Sequence, residues 1–172
     1  MTLPLGMNEV VVRTRDEVGN TEARAAMALV TVVETLLPFL GPTGMAVEPS
    51  GTLVVVDNGR QAVVRVDPQT GARTIISDAT TGRGPPFQQL GNIAVEATGD
   101  LVTVDHGRVL RINPVTGART IVSDATTGRG PAFFAPLEIA VEPTGTLVVA
   151  DTDLRAVVRV DPLSSDRAVI SR

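Results

Sequence analysis

Gly71 to Pro85 reads GARTIISDATTGRGP and Gly117 to Pro131 reads GARTIVSDATTGRGP, two stretches that differ only where Ile76 becomes Val122. The match lies far beyond chance and fixes an internal repeat of 46 to 48 residues, the signature of a stacked or radial architecture. Repetition reports how a backbone is built. Function normally sits in whatever breaks it.

Upstream of the first stretch the same register yields three more short runs: Gly44 to Glu48, Gly51 to Asp57 and Ala62 to Pro68. Each is about five residues of Val- and Ile-rich sequence bounded by Pro-Ser-Gly, Asn-Gly or Pro-Gln-Thr-Gly, which are turn signals with defined backbone reasons. Four strands joined by such turns form an antiparallel meander. A second unit repeats the pattern from Asn92 to Ser123 and a third from Glu138 to Ser171. Landmarks hold their spacing: Asp57, Asp105 and Asp151 are 48 and 46 residues apart, and Arg65, Arg111 and Arg159 are 46 and 48 apart. The second strand is apolar at every position from Leu53 to Val56, so neither of its faces can be wet. Short strands alone would also fit a β-sandwich. Near-identical meanders apolar on both faces are instead met most simply by blades stacked around an axis, each covering the next. The predicted fold is all-β, with three four-stranded propeller blades near 42–77, 90–123 and 136–171, in a propeller region spanning 41–172.

The words Gly44-Met-Ala-Val-Glu48, Gly51-Thr-Leu-Val-Val-Val-Asp57 and Val63-Val-Arg-Val66 resemble the NHL repeat, whose blades read roughly G-I-A-V-D, G-x-I-Y-V-A-D and N-x-R-I. The resemblance covers residues 42–171. It departs from the family in lacking the second-strand aromatic and the Asn before the R-I pair. The linker SDATTGRGP is similar to that of bacterial NHL-like propellers. Such a resemblance implies ligand binding at one loop face and the central channel.

Residues 1–40 are the least regular part. Thr21 to Leu37 has the cap and first turn of a helix ended by Pro38. Alternatively, Val11-Val12-Arg13 followed by Gly19 has the spacing of a worn repeat, since Val63-Val64-Arg65 stands in the same relation to Gly71. The apolar run from Ala25 to Leu40 is interrupted by Glu34 and Pro38 and is too short to span a bilayer. It begins behind several acidic residues and lacks a clean cleavage site, so no signal peptide is legible and the compartment is left undecided: cytoplasmic by default, exported if the N-terminus is truncated.

Composition narrows the function classes. All 15 basic residues are Arg and the net charge is -4, which offers no basic field for nucleic acid. The absence of Cys removes disulfides, zinc–thiolate sites and thiol catalysis.

A meander fixes polarity, so the turn between second and third strands and the linker to the next blade are expected at one end of the ring. That face is expected to collect Asp57, Asp105, Asp151, His106, Arg83 and Arg129, the candidate ligand-binding set. The three Asp residues close a strand before a turn, where a carboxylate accepts turn amides. His106, the sole His, is of the type that serves as a general base, yet it stands in a turn with no Ser or Cys partner. Thr81-Gly-Arg-Gly84 matches neither the P-loop nor the dinucleotide fingerprint. Glu48, Glu96 and Glu142 are expected at the opposite rim.

These features read as a non-catalytic propeller module that binds a protein or small ligand and needs no cofactor. Propellers resembling this one include calcium-dependent lactonases and streptogramin lyases, and in that alternative Ca2+ would bridge the Asp positions. A third reading is a truncated propeller without an independent role. Three blades leave two sheet edges exposed, so either a homodimer that completes one ring through a two-fold axis or an incomplete arc that aggregates when expressed alone is expected.

Overall fold

The computed structural model describes residues 38–172. The helix and worn-repeat alternatives for the N-terminal segment fall on residues outside the described ones. Twelve strands follow in order. The first sheet comprises β1 (Pro42–Val47), β2 (Leu53–Asp57), β3 (Ala62–Val66) and β4 (Arg73–Ser77); the second, β5 (Leu90–Val95), β6 (Leu101–Asp105), β7 (Val109–Ile112) and β8 (Arg119–Ser123); the third, β9 (Pro136–Val141), β10 (Leu147–Asp151), β11 (Ala156–Val160) and β12 (Arg167–Ser171). Every sheet is an antiparallel meander with strands in chain order. No described residue is helical, and none lies in a helix long and apolar enough to cross a membrane.

Turn chemistry sets these boundaries. Gly51, Gly99 and Gly145 follow each first strand with φ of 86°, 89° and 88°, a left-handed conformation that glycine adopts without steric cost. The preceding glutamate carbonyl accepts the glycine amide in all three blades.

Packing runs from blade to blade. One cluster joins Val54, Val56, Val63 and Ile76 of the first sheet to Leu90, Ile93, Leu101 and Ile112 of the second. Another joins Val102, Val104, Val109 and Val122 of the second sheet to Ile139, Leu147, Val149, Val158 and Val160 of the third. Successive residues on β6 therefore enter different cores, Leu101 on one side and Val102 on the other, as strand alternation requires. This explains the apolar runs of the second strands: β6 is buried on both faces. β1, β5 and β9 lie next to one another as the innermost strands, each neighbouring the next. The described residues form an arc of three β-propeller blades.

The phenylalanines that precede each first strand plug these seams. Phe133 is 7% exposed within the second core, and Phe87 is half-buried against the first. Phe133→Ala is expected to cost about 3 kcal/mol, the low end for a buried aromatic because the overlying linker can settle into the space. A urea titration followed by circular dichroism checks this, and an unchanged midpoint contradicts it.

Candidate functional site

Asp57, Asp105 and Asp151 end β2, β6 and β10 and are 0%, 0% and 2% exposed. Each carboxylate turns inward to hold the chain entering the first strand of its own blade. Asp57 accepts the amides of Leu40 at 3.0 Å and Gly41 at 2.9 Å. Asp105 accepts those of Gln88 at 2.9 Å and Gln89 at 2.6 Å, and Asp151 those of Phe134 at 2.7 Å and Ala135 at 3.0 Å. The turn is tied in as well, through Arg60 N at 3.2 Å and Leu154 N at 2.9 Å. Asp105 instead takes the Arg108 guanidinium at 2.5 Å. Charge-assisted bonds to several amides are a strong way to fix a linker, and they leave these carboxylates sealed from solvent.

His106 is exposed at the tip of the next turn, with φ of 43°. It occupies the place of Asn58, whose side-chain oxygen accepts the amide of Leu90 in the following blade at 2.9 Å. The corresponding residue after His106 is Pro136, which has no amide hydrogen to satisfy. The substitution of His for Asn thus coincides with the loss of the donor that Asn serves.

Arg83 and Arg129 are exposed and belong to a different neighbourhood. Their linkers run against the start of the next blade's fourth strand: Arg119 N donates to Arg83 O at 2.6 Å, and Arg167 N to Arg129 O at 2.7 Å. The approach is close enough that a Cβ on Gly82 would lie 2.0 Å from the Gly117 oxygen, so only glycine fits there. The six expected residues therefore divide between two regions, the carboxylates and His106 at the β2–β3-type turns and the two arginines along the outer linkers.

The linkers are organised by residues that the sequence reading passed over. Arg119, 6% exposed, sends its guanidinium into the preceding linker, donating to Ser77 Oγ at 2.6 Å, Asp78 O at 2.8 Å, Thr81 O at 3.2 Å and Pro85 O at 2.8 Å. Arg167 repeats this on Ser123, Asp124, Thr127 and Pro131. Each guanidinium also sits over the linker phenylalanine, 4.9 Å from Phe87 and 5.7 Å from Phe133, within cation–π range. Burial lowers the Arg119 pKa from its ordinary value, opposed by Asp78; an arginine remains charged regardless. Burial tends to raise the carboxyls of Asp78 and Asp124, but the backbone and hydroxyl bonds of the following threonines outweigh it and hold both below the usual range.

At the other rim, Glu48–Arg65, Glu96–Arg111 and Glu142–Arg159 form bidentate pairs at 2.6 to 3.0 Å across the middle strands. They recur in every blade.

One column does break the repeat near the innermost strands' outer ends. Gly44, Asn92 and Glu138 occupy equivalent positions, 48 and 46 residues apart, beside bulges in β1, β5 and β9. Bulges commonly re-aim a side chain next to a site. A Cβ on Gly44 would lie 2.4 Å from Asn92 Oδ1, and the Asn92 amide nitrogen donates to Glu138. Thr43 Oγ1 closes the same seam by donating to Gly91 O at 3.0 Å. Glu138 is exposed and Asn92 half-buried. This asymmetry was present in the aligned repeats, where Gly, Asn and Glu cannot share one packing role.

No family model matches the chain, and no curated protein matches it in sequence. Solved structures do match. A chain of the nidogen/laminin complex is similar at 15% identity and a TM-score of 0.62, over 76% of this chain and 48% of that one. A gluconolactonase from Xanthomonas campestris is similar at 21% identity and a TM-score of 0.58, over 76% and 47%. The virginiamycin B lyase of Staphylococcus aureus is similar at 12% identity and a TM-score of 0.57, over 79% and 43%. These neighbours are β-propeller proteins, and the chain spans about half the length of each or less.

Proposed function

We propose that this chain is a non-catalytic, NHL-like propeller segment that binds a small polar ligand or a protein at the end of the arc where the inner strands begin. The observation that supports this is the Gly44–Asn92–Glu138 column, which breaks the repeat and brings an amide and a carboxylate together while the repeated Asp residues are consumed by their own linkers. Asn92 and Glu138 supply both amide and carboxylate groups. That combination recognises hydroxyls and amines through directional hydrogen bonds.

A second reading is a lactonase- or lyase-like enzyme working through a hard divalent cation, favoured by the gluconolactonase and virginiamycin B lyase likenesses. Calcium takes roughly six to eight oxygen ligands. Among the described residues no group of three or more His, Asp or Glu side chains could hold a metal ion. Asn92 Oδ1 already accepts the Ile93 amide at 2.7 Å, so this donor set does not fit a calcium cage by itself.

Calorimetric titration with calcium chloride, run beside an assay of glucono-lactone hydrolysis, separates the readings. The binding-module reading expects no calcium affinity tighter than roughly millimolar, the weak end of protein calcium sites, and no hydrolysis above the blank. Micromolar calcium binding together with turnover, both lost in Glu138→Gln, would replace it with the enzyme.

A further inference from the structure

The two interior seams follow one backbone path and differ by one carboxylate. At the first seam Arg83 O accepts the amide of Arg119 at 2.6 Å; at the second, Arg129 O accepts that of Arg167 at 2.7 Å. Gly117 and Ser165, two residues before β8 and β12, have φ of 69° and 67°, and their carbonyls accept Ser77 Oγ at 2.8 Å and Ser123 Oγ at 2.7 Å. The next residue breaks the equivalence. At the second seam it is Asp166, whose Oδ1 accepts the Arg129 amide at 2.7 Å. At the first it is Ala118, so the Arg83 amide, presented by the same turn, meets no acceptor among the described residues.

Charge differs in the same sense. The turn leading to β12 starts with Asp161, whereas the turn leading to β8 starts with Asn113. On these linkers and turns Arg129 and Arg167 are balanced by Asp124, Asp161 and Asp166, but Arg83 and Arg119 have Asp78 alone. Asp78 is already engaged, its Oδ1 accepting the amides of Thr80 at 2.7 Å and Thr81 at 2.6 Å and the Thr80 hydroxyl at 2.9 Å. The exposed Arg83 guanidinium makes no ion pair among the described residues. Between linker and turn lies a cleft of about 370 Å³ lined by Thr80, Gly82, Arg83, Thr116 and Ala118, a volume at the small end of ligand sites.

We infer that this cleft binds the carboxylate of a small organic acid, in the place that the Asp166 side chain fills one blade later. The ligand oxygens accept the Arg83 amide and pair with its guanidinium, both charge-assisted bonds, and the short Ala118 side chain leaves room for them. A planar carboxylate is the indicated group because the molecule supplies one itself at the equivalent point. The site lies on the outer linker and does not depend on the Asn92–Glu138 column.

Amide-correlation NMR spectra of the full chain, titrated with sodium acetate against a sodium chloride blank of equal ionic strength, test this. The Arg83 amide is expected to shift downfield saturably, half-saturating at about 1 to 10 mM, the affinity that one small charged group can supply. The Arg129 amide is expected to stay in place, since Asp166 already holds it. Ala118→Asp is expected to shift the Arg83 amide without ligand and to abolish its response to acetate. Asp166→Ala is expected to make the Arg129 amide respond as Arg83 does in the wild type. An Arg83 amide indifferent to acetate, or equally moved by chloride, overturns the inference. So does an acetate response that survives in Ala118→Asp, an Arg129 amide that stays silent in Asp166→Ala, or tighter binding of sodium phosphate than of acetate at the same pH. Asp166 is exposed and Ala118 half-buried, so if Ala118→Asp fails to fold, Asp166→Ala decides the matter.

Discussion

Replacing Arg119 by alanine is expected to lower the stability of the arc by about 5 kcal/mol, since buried acceptors stripped of a charged donor cost roughly 1 to 3 kcal/mol each. Ser77 Oγ and the carbonyls of Asp78, Thr81 and Pro85 all accept from this one guanidinium, while Ser77 Oγ also donates to Gly117 O and Thr81 O also accepts the Asp78 amide. Water can reach only some of them, because the linker folds over the site and Phe87 stacks upon it. Arg119→Lys retains the charge but not the planar fork, so it is expected to recover less than half of the loss. Urea denaturation of the three proteins provides the comparison. Equal midpoints for wild type and Arg119→Ala would show that the linker is held by its own turns.

Asp105→Ala is expected to cost nearly as much, about 4 kcal/mol, because removing one partner of a buried pair strands the other. Arg108, with its side chain 12% exposed, loses its carboxylate at 2.5 Å, and the amides of Gln88 and Gln89 lose their acceptor. Asp151 provides an internal control. Its turn contributes the Leu154 amide and no arginine, so Asp151→Ala orphans amides without leaving a buried cation and is expected to cost roughly half as much. Thermal melts at neutral pH suffice to rank them. The reverse order would locate the cost in the amides and not in the stranded charge.

Much of the backbone was legible because a propeller blade is a local object. The Val-rich runs and their Gly turns place all twelve described strands within a residue or two, and β2, apolar at every position from Leu53 to Val56, requires cover on both faces. What escaped the reading lies between blades. Arg119 belongs to the repeated word Gly-Ala-Arg, and nothing within its own meander indicates that it reaches back to Ser77, 42 residues earlier. Meander polarity groups Arg83 with Asp57, because the turn after the second strand and the linker after the fourth leave the sheet at the same end. The linker in fact first crosses to Gly117 and Arg119 before returning to the turn end at Gln88 and Gln89, and chain order alone does not report such a detour. Asn92 and Glu138 were overlooked for a different reason. Residues that recur, such as the Asp series, are conspicuous in a single blade, whereas these two stand out only across the three copies, column by column.

The near-identical stretches carry a further consequence, because the second holds both partners of the lock that joins successive blades. Gly71 to Pro85 contains a linker that is gripped from ahead by Arg119, and Gly117 to Pro131 contains both Arg119, which grips backward, and a linker that is gripped from ahead by Arg167. A duplication of this segment therefore delivers a matched key and keyhole wherever its breakpoints fall within the period. The new blade fits its neighbours at once, without compensating changes. Gene lineages built from such a segment can lengthen or shorten by whole blades through unequal recombination, and the seams remain sound in every product.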